Sequence, residues 1–367
     1  AVTYGDKNIL LSDAVGDGSR IIDNRDPSER VKAVAPWLTT DGDVYPSVVD
    51  GRVQWIVDGY TTSDNYPGAA KSNLSGATSD STTATSRNVR ALRDGQVNYI
   101  RNSVKATVDA YSGEVKLYAW EPNDPMLKAW TKAFGGSVKP MSQMSADLVS
   151  HVRYPSDLFK VQRYQLARYH VTEAGAFYQG SDRWEVPQDP NATSSFQPPY
   201  RMFSDVGEGE EWSLTSVFVP RGKNNLASFV AANSDATSPE FGQIKLLEMD
   251  SQSVRGPGLV ANDMSQDGDV RDALREYEQT SSPPVFGNVL TVPVDDVTKG
   301  AAAVSGAPSA GNAWACVVWD MADSGASVSA LDRSRRRIIR NLPCGNPQSR
   351  SRKPPARAPR RRPTATA

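Results

Sequence analysis

Cysteine and histidine are nearly absent from this chain of 367 residues, which has two of each. Both cysteines, Cys316 and Cys344, fall late in the chain, so no disulfide framework or thiolate metal site organises what precedes them. His151 and His170 have no second ligand at the spacing a zinc site uses, and both read as surface residues on or just beyond helices. Long apolar runs are lacking too. Nothing approaches the ~20 residues of a spanning helix, and no basic-then-apolar signal segment opens the chain, which begins at Ala1. Gly256-Pro257-Gly258 lacks the lysine and hydroxyl of a phosphate loop and reads as a turn. The acid–glycine pairs Asp17-Gly18, Asp41-Gly42, Asp50-Gly51 and Asp58-Gly59 lack the alternating oxygen ligands and distal glutamate of a calcium loop, and turn geometry accounts for them. The sequence therefore names no catalytic residue, no metal ligand and no cofactor.

Net charge is nearly absent as well, but only on average. Of 41 basic and 42 acidic residues, twelve basic and one acidic lie in residues 331–367, which leaves 29 basic against 41 acidic for residues 1–330. The body is acidic and the tail basic. An acidic body argues against nucleic acid as a partner of residues 1–296 and against a direct electrostatic hold on anionic lipid. With 38% hydrophobic and 23% charged residues, the chain is long enough to bury a core and polar enough to read as globular, in two subdomains.

What is present is clearest in residues 26–66. Asp26-Pro27-Ser28-Glu29 sets a capping side chain before a proline at the first helical position, so a helix starts at Pro27, and Pro36 ends it. Two strand-like runs, residues 45–49 and 52–60, then flank Asp50-Gly51, a dipeptide suited to the positive φ of a two-residue hairpin turn.

The same residues carry a resemblance. Ala35-Pro36-Trp37-Leu38-Thr39, Val48-Val49-Asp50-Gly51-Arg52 and Trp55-Ile56-Val57-Asp58-Gly59-Tyr60-Thr61-Thr62-Ser63-Asp64, with Val97-Asn98-Tyr99-Ile100-Arg101-Asn102-Ser103, Arg153-Tyr154-Pro155 and Gly180-Ser181-Asp182-Arg183-Trp184 further on, resemble the bacterial uncharacterised protein family (UPF) 0182 over residues 4–295. The resemblance implies several transmembrane helices followed by a large extracytoplasmic domain, so that this chain is a fragment without its membrane anchor. It implies a location at the cell membrane, outside the cytoplasm, and an architecture rather than a reaction. The chain departs from the family pattern after Tyr66-Pro67, where Gly68 replaces an aromatic.

Taken in order, residues 8–15 read as a short helix. Residues 61–87, rich in Ser, Thr, Gly and Ala, read as a long mobile loop. A second hairpin spans residues 97–120, its strands 104–110 and 114–120 on either side of Ser112-Gly113. Helices follow from Asp124-Pro125 to Gly135, over 145–152 and over 155–169, the last with Leu158, Val161, Gln162, Gln165 and Leu166 inward and Lys160, Arg163 and Arg168 outward. Residues 187–199, with four prolines, read as a linker. Strands at 211–219, 226–232, 241–249 and 285–294 and a helix at 267–278 complete the second unit.

The fold class is α+β: antiparallel hairpins packed with helices, as a first subdomain (1–186), a linker (187–199), a second subdomain (200–296) and a low-complexity tail (297–367). The family pattern stops after Val294, and the change of composition there predicts a disordered or frame-shifted end; a basic tail that binds nucleic acid is the alternative.

One constellation, Trp55, Asp58, Tyr60, Asp64 and Tyr66, has the rings and carboxylates that a carbohydrate or peptide cleft needs. In the competing reading Trp55 is core and the tyrosines cap a sheet edge. The expected function is a non-enzymatic domain that binds or scaffolds at the cell envelope, with its partners unknown. The alternative is an envelope glycan hydrolase using Asp58 and Asp64.

Overall fold

The computed structural model describes residue 18 and residues 24–206, 209–249, 254–278, 285–294, 297–305, 314–320 and 338–339. The helix expected at residues 8–15 lies outside them. Helix α1 (Pro27–Val34) begins as the sequence dictates: the Asp26 carboxylate accepts from Ser28 N at 2.8 Å, and Pro27 fills the first turn. It buries Val31 on a sheet built from β1 (Thr39–Thr40), β2 (Tyr45–Val49), β3 (Arg52–Ser63), β6 (Tyr99–Asp109), β7 (Val115–Ala119) and β8 (Val138–Pro140). Strand β3 is its axis, pairing antiparallel with β6 along one side and with β2 and then β1 along the other. The β2–β3 turn has Asp50 at φ 50° and Gly51 at φ 75°, the conformation that matches the twist of the strands it joins.

Along β3 the side chains alternate between two layers. Val57, with Val104, Ala106 and Val108 of β6, faces α1 and α4 (Pro125–Ala133). Ile56, Asp58 and Tyr60 face the helices α5 (Ala146–His151) and α6 (Ser156–Tyr169). The ladder slips between Gly59 and Tyr60, so Ser103 of β6 has no partner on β3. Its hydroxyl turns instead to Thr61 and to the Asp124 carboxylate that caps α4.

Residues 61–87, expected as a mobile loop, fold as the end of β3, then β4 (Ser72–Asn73), α2 (Leu74–Thr78) and α3 (Ser81–Thr85). Small residues hid these helices, but Asn73 and Asp80 cap them and Leu74, Ala77 and Thr78 are buried. Strand β4 pairs with β5 (Gln96–Val97).

After α7 (Ala174–Gln179) the chain forms β9 (Trp184–Glu185), β10 (Gln188–Asp189) and β11 (Ala192–Phe196). The stretch expected as a linker is thus partly a hairpin, and it buries Asp189 and Gln197. The second large sheet runs β12 (Tyr200–Asp205), β13 (Glu210–Pro220), β14 (Ser228–Asn233) and β15 (Ile244–Glu248), with β9 paired to β13. One face packs Leu214, Phe218 and Val230 on Phe159 and Ala167 of α6. The other packs Val217 and Phe229 on Val260 and Met264 of α8 (Pro257–Gln266), which starts where a turn was expected: Pro257 is its first residue. Helix α9 (Gly268–Glu278) follows, then β16 (Val285–Val294).

The backbone continues as β17 (Val297–Ser305), β18 (Trp314–Asp320) and β19 (Ile338–Ile339), paired in order with β16. Composition had suggested no element there. The run Trp314-Ala315-Cys316-Val317-Val318-Trp319 has the β-branched and aromatic residues of a strand.

Candidate functional site

Helix α6 stands between the two large sheets, and the layer between it and β3/β6 is charged. Lys105 of β6 lies opposite Asp58 of β3, bonds to its carboxylate, and donates to Arg153 O at 3.2 Å; Asn102 donates to the same carboxylate at 3.0 Å. The Lys105 ammonium lies 5.2 Å from the centre of the Trp120 ring. One step along, the Tyr60 hydroxyl donates to Asp41 and accepts from Leu158 N at 3.2 Å. Asp41 also accepts from Asp157 N at 3.0 Å, and Gly42 N donates to Asp157 at 2.8 Å. The N–H groups of Asp157 and Leu158 in the first turn of α6 are therefore satisfied by residues 116 and 98 positions away in sequence.

Lys160 and Arg163, expected to point outward, are only 2% and 3% exposed. Lys160 lies 2.8 Å from Asp80 and 3.4 Å from Asp157, as ion contacts, and donates to Thr78 O. Arg163 donates to Gln197 O and to the Ser216 hydroxyl of β13. A buried charge is costly unless paired, and this pairing is what turns the polar side of α6 inward. Burial, then the charges of Asp157 and Asp58, hold the Asp41 carboxyl well above its ordinary range. Burial pulls Lys105 down against the opposing pull of Asp58, and lowers Arg163 to about 10.

The five residues singled out from sequence do not share one cleft. Asp58 and Tyr60 belong to this buried layer. Trp55 is on the opposite face of β3, partly packed against the Val57 cluster. Asp64 is exposed and paired with Lys71 at 3.2 Å. Tyr66 is exposed and stacks on Tyr99 with ring centres 5.7 Å apart. The Tyr99 hydroxyl donates to Asp124 at 2.5 Å and is pushed up to about 12 by burial and by that bond.

Among the described residues, clefts open to solvent include two of about 1000 Å³. One, of ≈ 940 Å³, lies between β10–β11, α8 and β16, with Met264, Val219 and Phe286 among its apolar walls and Gln188, Asn191 and Thr193 among its polar ones. The other, of ≈ 1000 Å³, lies beside α1 and the segment 87–95. Trp55 lines it, together with Lys32, Arg87, Arg90 and Arg93. Sequence reading missed these cations; the available signal was three arginines at intervals of three, at and just beyond the end of the stretch read as a loop. Among the described residues no group of three or more His, Cys, Asp or Glu side chains is placed to hold a metal ion.

Residues 1–277 match the pattern of the uncharacterised protein family UPF0182. The chain belongs to that family. It is 51% identical over 298 residues to a UPF0182 protein of Nocardioides, covering 81% of this chain and 30% of the relative. A Thermobifida fusca UPF0182 protein is 51% identical over 298 residues, covering 80% of the chain and 29% of the relative. One from Streptomyces coelicolor is 49% identical over 301 residues, covering 80% and 30%. The chain thus spans about 30% of the length of the curated relatives it matches. No solved structure matches it. Among the described residues of this UPF0182 chain, no helix is long and apolar enough to cross a membrane.

Proposed function

We propose that this chain is the extracytoplasmic part of a membrane-anchored UPF0182 protein and that it binds or scaffolds at the cell envelope rather than catalysing a reaction. The buried layer carries this reading. Asp41, Asp58, Asp157, Lys105 and Lys160, the groups that could exchange protons, are consumed in one internally paired network. The open clefts present arginines, amides and an indole, which recognise ligands, and their carboxylates Asp26, Asp94, Asp189 and Glu185 accept hydrogen bonds from neighbouring residues. Asp58, the first carboxylate of the hydrolase alternative, is 3% exposed and bonded to Lys105 and Asn102, while Asp64 lies at the surface beside Lys71. That placement gives the hydrolase reading no support.

The test uses the full-length family protein in intact cells. Tyr111 and Tyr178, 95% and 93% exposed, are each replaced by cysteine and treated with a membrane-impermeant thiol reagent, with the unsubstituted protein as control for Cys316 and Cys344. Labelling of Tyr111→Cys and Tyr178→Cys before lysis is expected. Labelling of both only after lysis would overturn the location.

A further inference from the structure

The cleft beside α1 concentrates positive charge on a body that is otherwise acidic. Lys32, Arg87, Arg90 and Arg93 all line it, and among the described residues none of the four side chains makes a hydrogen bond or ion pair. Its carboxylates are engaged elsewhere. Asp26 caps α1, Asp94 accepts from Asn73, and Asp41 lies in the buried layer with Tyr60. Burial, and after it the charge of Arg93, holds the Lys32 ammonium below its ordinary value against the opposing pull of Asp26 and Glu29.

The strip that carries the arginines is fixed at three points. Arg90 N donates to Gly42 O at 3.3 Å, Leu92 N to the Thr78 hydroxyl at 2.9 Å, and Leu74 N to Gly95 O at 3.0 Å, while the Leu92 side chain is buried. Cations on a tethered backbone lose less freedom on binding than cations on a free loop. On the other wall, Trp55, Pro36 and Leu38 supply apolar surface.

We infer that this cleft binds an organic phosphate, its phosphate group held by Arg90, Arg93 and Lys32 and its organic part laid against Trp55. Planar guanidinium groups meet phosphate oxygens two at a time, and several fixed cations favour a multiply charged oxyanion over a single carboxylate. The volume of ≈ 1000 Å³ exceeds what inorganic phosphate alone fills. The inference deepens the binding-domain reading and rests on it, but its readout is separate, because thiol labelling reports location and the titration below reports the ligand.

The experiment is calorimetric titration of the chain with inorganic pyrophosphate, and flotation with phosphatidylglycerol against phosphatidylcholine vesicles. These compare the native chain, the double variant R90Q/R93Q and a control variant, K71Q, whose charge lies outside the cleft. Pyrophosphate binding that weakens at least about tenfold in R90Q/R93Q but not in K71Q supports a soluble phosphate ligand. Flotation with phosphatidylglycerol alone, lost in R90Q/R93Q only, supports a lipid headgroup as its source. All three side chains are exposed, so the urea midpoints of both variants are expected to match the native one, which confirms that they fold. Absence of both binding signals, or equal binding by R90Q/R93Q and the native chain, would overturn the inference.

Discussion

Lys105 and Asp58 face each other across the β3–β6 pair, and each is the other's charge partner in a layer closed to water. Removing one side leaves the other charge buried and uncompensated. Lys105→Met or Asp58→Asn should each destabilise the fold by about 3–5 kcal/mol, as breaking a buried pair generally does, and the double variant should cost clearly less than the two singles added. Urea denaturation of the native chain, both singles and the double closes the cycle. Additive losses would show that the two groups do not act as a pair.

The β2–β3 turn gives a prediction about backbone alone. A Cβ at Gly51 would meet nothing within 4 Å, so space is not the constraint; its φ of 75° is. Gly51→Val should cost about 1–3 kcal/mol, because a β-branched residue resists positive φ. A denaturant midpoint and slope equal to the native values would show that the turn accepts the substitution and adopts another form.

Asp41 predicts a pH dependence. Its folded-state pKa lies above the ordinary carboxylate value, so the folded chain holds a proton there that the unfolded chain has released. This contribution to stability is full below the unfolded pKa of about 3.9 and is lost as pH rises through the folded value. Asp41→Asn has no such proton to lose. The stability of the native chain relative to the variant should therefore fall as pH rises from about 4 towards neutrality, read from urea midpoints at each pH. A difference that stays level or grows over that range would contradict the assignment.

What could be read from sequence was local. The α1 cap, the Asp50-Gly51 turn and the β6–β7 hairpin depend on neighbours a few residues apart, and each formed where its signals lay. The buried layer depends on distant partners. Lys160 and Arg163 are charged residues on an amphipathic helix, for which outward is the default; apart from Asp157 one turn away, the partners that hold them inward, Asp80, Thr78, Gln197 and Ser216, are remote in sequence. Helices α2 and α3 escaped notice because Leu74 is their one large apolar side chain, and their caps become decisive only once the segment is pinned against α6. Of the candidate site, Trp55 lines an open cleft, but the backbone strip that brings the arginines to the same cleft is held by tertiary hydrogen bonds that no local pattern encodes.

Gly42 joins the buried layer to the cationic cleft. Its N–H donates to Asp157 at the start of α6, and its carbonyl accepts from Arg90 N. A Cβ built there would lie 1.7 Å from the Arg90 carbonyl oxygen, an atom of the backbone that no rotamer change can move aside. Gly42→Ala must therefore displace the arginine strip or distort the loop after β1, and either should cost about 1–3 kcal/mol or more. Because the strip holds the cleft's cations in place, the folded variant should also bind pyrophosphate more weakly than the native chain. A folded Gly42→Ala protein with native stability would mean that residues 87–95 do not pack on Gly42. Lost stability with undiminished affinity would mean that the arginines bind without being held.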